Sequence, residues 1–220
     1  MCGRFAVSIT TDQIEKLIPG ISKLDIPKNF NVAPSQSIAA LKQGSNEIEF
    51  FHWGLIPFWA KDRSISYKMI NARAETVHEK PSFKNALKKR RCIIPASGYY
   101  EWKKEDDGKQ PYYIKPKNDD LFLFAGLWEK WTDKESGEIV ESATIITTDA
   151  TEAIQDVHHR MPAMITKEHV DIWLKEDYQL DELQQLILPN SSIELEFHPV
   201  SKMVNKPLNN SPECLKPIND

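Results

Sequence analysis

The 220-residue chain predicts an α+β fold, a single domain with a strongly bent, barrel-like mixed β-sheet core and short flanking helices. Three observations carry that prediction. Many short strand-like runs alternate irregularly with short helical ones, with no regular βαβ rhythm. Neither an internal repeat nor an interior linker divides the chain. A hydrophobic fraction of 40% and a charged fraction of 27% suit one sizeable core. The whole span 1–220 therefore reads as one domain, with a polar tail from about residue 206.

The elements follow in order. "TTDQIEKLIPG" predicts a helix that starts at Thr11 or Asp12 and stops at Pro19-Gly20. "NVAPSQSIAAL" leaves a turn and enters a strand. "IEFFHWGLIPFWA" is β-rich and aromatic, interrupted by Gly54 and Pro57. "SFKNALKKR" predicts a short helix capped by Ser82. "RCIIPASGYYEWKK" reads as a strand, a turn and a second strand. "QPYYIKP", "LFLFAGLWEKW" and "ESATIITTDA" read as three further strands, the last running into a helix over "TEAIQDVHH". "TKEHVDIWL" and "LDELQQLIL" predict two more short helices, and "IELEFHPVS" a late strand.

Composition excludes several classes. The opening residues show no secretory h-region, and no apolar run approaches the roughly 18 residues of a membrane helix, so a cytoplasmic location without membrane contact is expected. Cys2, Cys92 and Cys214 form neither a disulfide framework nor a zinc pattern, so no metal site is expected. Cys92 reads as a small core residue and Cys214 as incidental. The formal net charge is −4, but Lys61 to Lys104 holds 12 Lys/Arg against 4 Asp/Glu, while the remainder holds 16 against 28. A basic face on an acidic body suits a phosphate backbone, and a solvated helix with a basic end gives the same count.

Chemistry concentrates in a few places. Removal of Met1, favoured by a small second residue, would leave Cys2 with both a thiol and a free α-amine. With pKa values near about 8.5 and about 8, both are partly deprotonated at neutral pH. The amine can form an imine with an aldehyde, and the thiol can close a thiazolidine ring on it. A buried, inert cysteine in a terminal strand is the competing reading. In an extended "MCGRF", Arg4 shares a face with Cys2. An extended "MINARAET" would point Asn71, Arg73 and Glu75 to one side, a pattern suited to a sugar-phosphate backbone. "GYYEWKK" puts Tyr99 and Glu101 on one strand face, where burial would raise the acid's pKa toward that of a general acid. "DVHHRMP" offers His158 and His159 at an expected helix end, about 100° apart and so unsuited to one metal. Trp53 and Trp59 can stack on unpaired bases or fill a core. His52 and His198 read as structural.

The ordered series "CGRF", "NVAP", "WGLIPFWA", "NARAET", "RCIIPASGYYEW", "AGLWE", "HHRMP" and "HPVS" with "MVN" resembles the SRAP family (SOS response-associated peptidase, abasic-site processing proteins) from Cys2 to about Asn205. The resemblance implies a monomer that binds single-stranded DNA containing abasic sites and crosslinks to them through Cys2. It implies catalytic roles for Cys2, Asn71, Glu101 and His158, the last chosen over His159 by the H-x-R-M-P spacing. It implies DNA contacts by Arg4, Asn31, Trp53, Arg73, Trp102 and Arg160. No cofactor or metal is implied. A lyase-like imine step and autoproteolytic loss of Met1 follow from the same chemistry, and in a bacterium the protein would associate with the nucleoid. A cysteine peptidase and a noncovalent reader of modified bases are the alternative readings.

Overall fold

The computed structural model describes residues 2–22, 24–106, 108–118 and 121–218. In chain order its strands are β1 (Phe5–Val7), β2 (Asn29–Val32), β3 (Ser37–Lys42), β4 (Ile48–Trp53), β5 (Asn71–Arg73), β6 (Arg91–Ala96), β7 (Gly98–Glu105), β8 (Gly108–Pro116), β9 (Phe122–Thr132), β10 (Ile139–Asp149), β11 (Arg160–Pro162) and β12 (Leu195–Pro199). Four short helices flank them: α1 (Thr11–Leu17), α2 (Lys84–Lys89), α3 (Val170–Leu174) and α4 (Leu180–Leu186).

Five strands close on themselves in the order β10-β4-β3-β6-β9, with β9 returning to β10. Every pairing around this barrel is antiparallel except β4 with β10. Closure removes the sheet edges, and the barrel interior fills with side chains. Past β4 and β9, the far half of β10 pairs instead with β5 and β11. A second sheet, β12-β8-β7-β1-β2, is antiparallel throughout.

β1 joins the two sheets. Phe5 is fully buried, edge-on to Trp53 of β4 at 5.0 Å and to Phe124 of β9 at 6.1 Å. Burying one such side chain contributes roughly 1.5–3 kcal/mol. The neighbouring Ala6 faces the opposite side, toward Tyr100, Tyr113, Val200, Val204 and Cys214. The second sheet is thus covered by the barrel on one face and by the C-terminal segment on the other.

That segment corrects one expectation. The residues beyond 206 are mostly exposed, but they dock on the sheet at Cys214, which is fully buried, and at Pro217, which bridges Val200. Cys214 is a core residue as fully as Cys92 is.

The helix α1 starts at Thr11, as predicted, and Thr10 caps it through a reciprocal box with Gln13. The cap of the second helix differs from its predicted position. Phe83 rather than Ser82 occupies the N-cap of α2, and no side chain caps that helix. The expected helix over "TEAIQDVHH" is a run of turns. Asp149 pairs with Arg160 and the Ala150 N–H meets the His159 carbonyl at 3.0 Å, so this segment must reverse direction. Tertiary pairing overrides its helical propensity. Gly54 ends β4 at φ +127, where a Cβ would lie 2.6 Å from the Ser66 carbonyl oxygen. Among the described residues no helix is long and apolar enough to cross a membrane.

Candidate active site and nucleic-acid face

Four separate segments bring the four predicted catalytic residues together. In the β1–β7 pairing Phe5 lies opposite Tyr99, and the Tyr100 N–H donates to the Arg4 carbonyl at 3.0 Å. Continuing that antiparallel register puts Gly3 opposite Glu101, and the adjacent Cys2 lies close enough for the Glu101 charge to act on its thiol. β5 pairs in parallel with β10, Asn71 opposite Ile145, and the Asn71 amide Nδ2 donates to the Cys2 carbonyl at 2.8 Å. His158 sits at the mouth of β11, its Nε2 3.8 Å from Glu101 Oε2.

The electrostatics of this cluster are governed by burial. Glu101 is 3% exposed, and desolvation pushes its carboxyl up to about 7. Burial first, then the nearby Glu101 charge, raises the Cys2 thiol well above its ordinary range. The thiol is therefore protonated at neutral pH, and Sγ donates only a long 3.8 Å bond to the Arg4 carbonyl. His158 is shifted the other way, lowered chiefly by burial, so its ring is neutral at pH 7. His158 Nδ1 meets both backbone groups of Arg160, the N–H at 3.0 Å and the carbonyl oxygen at 3.1 Å, and Nε2 faces Glu101. The result is a neutral imidazole and a carboxyl of near-neutral pKa, side by side, next to Cys2. His158 and His159 do not diverge as on a helix; their rings stack at 4.4 Å.

A third group borders the cluster. The fully buried Tyr99 hydroxyl has no hydrogen-bond partner among the described residues. Desolvation, with smaller effects from Cys2 and Glu101, holds its pKa well above 10.0. The strand alternation in "GYYEW" placed Tyr99 on this face; only the structure reveals the unpaired hydroxyl.

The predicted DNA contacts divide into two sets. Arg73 is exposed at the end of β5, and Arg4 and Trp102 are partly exposed beside each other, with the Arg4 guanidinium carbon 6.0 Å from the indole centroid. These three keep surface for a ligand. The other three do not. Trp53 is fully buried, its indole N–H spent on the Ile70 carbonyl at 3.0 Å, so it is a core residue and cannot stack on a base. Asn31 is fully buried and its side chain is consumed by protein partners, which removes it from direct contact. Arg160 is 6% exposed, with Nη1 and Nη2 engaged by Glu75 at 2.7 and 3.1 Å, by Asp149 at 2.6 Å and by the Thr147 carbonyl at 2.7 Å. It shapes the site by holding β11, not by presenting a free guanidinium.

Sequence reasoning missed Glu75 and Asp149 in that role. β5 ends at Arg73 and the chain turns, so Glu75 does not continue the Asn71/Arg73 face but swings to Arg160. The exposed aromatics of the "WGLIPFWA" loop are Phe58 and Trp59, not Trp53. Among the described residues no group of His, Cys, Asp and Glu could hold a metal ion.

Comparison with known proteins gives the family. A family model described as SOS response associated peptidase (SRAP) matches residues 1–207. The abasic site processing protein YoqW of Bacillus subtilis is 45% identical over 98% of this chain and 99% of its own length. The abasic site processing protein HMCES of Gallus gallus is 37% identical over 76% of this chain and 56% of its own. A crystal structure of a protein from Bacteroides thetaiotaomicron superposes with a TM-score of 0.88 at 29% identity, covering 99% of this chain and 100% of that one. Cys2, Asn71, Glu101 and His158 all lie within the matched span, and the chain belongs to the SRAP family.

Proposed function

We propose that this protein, acting as a monomer, recognises abasic sites in single-stranded DNA and joins itself to them covalently through Cys2 after Met1 is removed. The reading is carried by one observation: Cys2, held through its carbonyl by Asn71, lies beside a buried carboxyl poised near pH 7 and an imidazole aimed at that carboxyl. The names of the relatives, which process abasic sites, point the same way.

The chemistry follows from the geometry. The freed α-amine of Cys2 attacks the aldehyde carbon of the ring-opened abasic sugar and forms a C–N bond. Glu101, titrating near neutrality, protonates the departing hydroxyl as the carbinolamine loses one water. His158 flanks the carboxylate so formed, its Nε2 3.8 Å from Glu101 Oε2. The Cys2 sulfur then adds to the C=N carbon. Its proton passes to the Glu101 carboxylate, which is thereby restored, and a five-membered thiazolidine closes. Because burial keeps the thiol protonated, the amine is the first nucleophile and sulfur the second. Asn71 fixes the residue so that both nucleophiles face one carbon, a positioning effect that raises effective concentration steeply. The imine on this path gives the protein a latent lyase-like activity, which ring closure suppresses. Arg4, Arg73 and Trp102 supply the phosphate and stacking contacts.

The geometry disfavours a cysteine peptidase. That chemistry needs a thiol paired with an imidazole, whereas His158 Nε2 faces Glu101 and the Cys2 thiol bonds a carbonyl. The test is incubation with abasic single-stranded DNA followed by a denaturing gel. Wild-type protein gives a heat-stable adduct; Cys2→Ala, or an uncleaved residue ahead of Cys2, gives none. A stable adduct from either variant rejects the thiazolidine.

A further inference from the structure

Asn31 is fully buried and polar, and its side chain bonds residues far off in sequence, yet no catalytic step uses it. Its Nδ2 lies 3.2, 3.0 and 2.8 Å from the carbonyl oxygens of Val204, Lys206 and Asn209, and its Oδ1 accepts from Arg4 Nη1 at 2.8 Å. Arg4 Nη1 also donates to the Val204 carbonyl at 2.7 Å. On the other side of Arg4, the Trp102 indole N–H donates to Asn205 Oδ1 at 2.7 Å. One carboxamide therefore ties Arg4, two residues past the nucleophile, to the C-terminal turn over residues 202–209.

The lock spends the arginine selectively. A guanidinium offers five N–H donors, and the two on Nη1 are both taken, by Asn31 and Val204. Among the described residues nothing accepts from Nε or Nη2, and Nε is buried without a partner. Those two nitrogens form one edge of the fork, the edge whose parallel N–H groups match two oxygens of a phosphate. A buried unpaired donor is costly.

We infer that Asn31 is a positioning residue for DNA: by fixing Arg4 Nη1 against the C-terminal turn, it aims the Nε–Nη2 edge of Arg4 at a backbone phosphate next to the abasic nucleotide. The 202–209 turn is thereby part of the DNA site without touching DNA. This rests on the reading that Arg4 meets phosphate, and the experiment separates the two.

Equilibrium binding is measured across a salt series to single-stranded DNA carrying a tetrahydrofuran abasic analogue, which has no aldehyde to crosslink. The proteins are wild type, Arg4→Ala, Arg4→Lys, Asn31→Ala, Asn31→Asp and the Arg4→Ala/Asn31→Ala double variant. Arg4→Ala is expected to weaken binding about 10-fold and to reduce the salt slope by about 0.7, the signature of one lost phosphate contact on a single strand. Asn31→Ala should reproduce most of that loss, and the double variant should bind no worse than Arg4→Ala alone. Arg4→Lys keeps the charge but not the fork, so it should bind like Arg4→Ala. Asn31→Asp, whose carboxylate would claim the guanidinium and repel phosphate, should bind at least as weakly as Asn31→Ala. Additive losses in the double variant, wild-type affinity in a folded Asn31 variant, or full rescue by lysine would overturn the inference. If Asn31→Ala does not fold, Asn31→Asp and Arg4→Lys decide it. Unchanged binding by Arg4→Ala would instead reject the phosphate contact itself, leaving the Cys2 chemistry to its own gel test.

Discussion

A carboxyl group sealed beneath a nucleophile leaves a thermodynamic trace that can be read without any DNA. Glu101 titrates at about 7 in the folded chain against 4.5 as an ordinary glutamate. Between those values the folded state holds a proton that the unfolded state has released. The group's contribution to stability is therefore fully present below about 4.5 and lost as pH rises through 7, to a limit of order 3 kcal/mol. Glu101→Gln keeps the shape and removes the charge, so its melting temperature should exceed wild type by several degrees at pH 8 and converge by pH 5. Crosslinking by the variant should fall about 100-fold or more and lose the inflection near pH 7. A variant less stable than wild type at pH 8 would mean the carboxylate is not strained by burial. The sequence identified the acid and its aromatic surroundings, but pKa depends on burial, which no spacing encodes. The same blindness explains Trp53, Asn31 and Arg160, whose residue types suit DNA while their surroundings commit them to protein.

At the scale of elements, the pairing of β1 with β7 sets the distance between nucleophile and acid. Gly98 lies opposite Ala6 in that pairing, and a Cβ there would come within 2.5 Å of the Tyr113 ring and 2.6 Å of the Ile114 carbonyl. Neither neighbour can retreat, because Tyr113 is buried and Ile114 is paired with Tyr99 in the ladder. Gly98→Ala should cost about 1–3 kcal/mol by overpacking, measured as a lower denaturant midpoint with an unchanged slope. It should also slow adduct formation, because the shift is transmitted to Cys2 and Glu101. A fully stable variant would show that β7 has room the structure does not reveal. Most strands were legible, since "LFLFAGLWEKW" and "ESATIITTDA" carry long β-branched and aromatic runs. The segment before His158 was not: Ile154 and Val157 mimic one helical face, and only the β10–β11 pairing dictates a reversal there.

For the molecule as a whole, charge separates from shape. The whole chain carries a net formal charge of −4, with the basic excess in the stretch from Lys61 to Lys104 and an acidic remainder. Lys61, Arg63, Lys68, Arg73, Lys80, Lys84, Lys88 and Lys89 are all exposed. Arg91 is the exception: it is fully buried, donates to the carbonyls of Leu87, Lys88 and Trp173, and lies over the Tyr178 ring at 4.6 Å. It serves the fold and leaves the phosphate count. An acidic protein that binds DNA through a local basic face should do so with strong salt dependence and no general affinity for polyanions. With three to four phosphates neutralised on a single strand, reversible affinity should fall about 20–50-fold between 50 and 200 mM salt. The covalent adduct, once formed, should survive the same increase undiminished, because neither the C–N nor the C–S bond depends on screening. Binding to an uncleavable abasic analogue, titrated over that range, measures the first term; a high-salt wash of the preformed adduct before denaturation measures the second. Salt-independent reversible binding would remove the basic face from the DNA site, and loss of adduct in the wash would show that the join was never covalent.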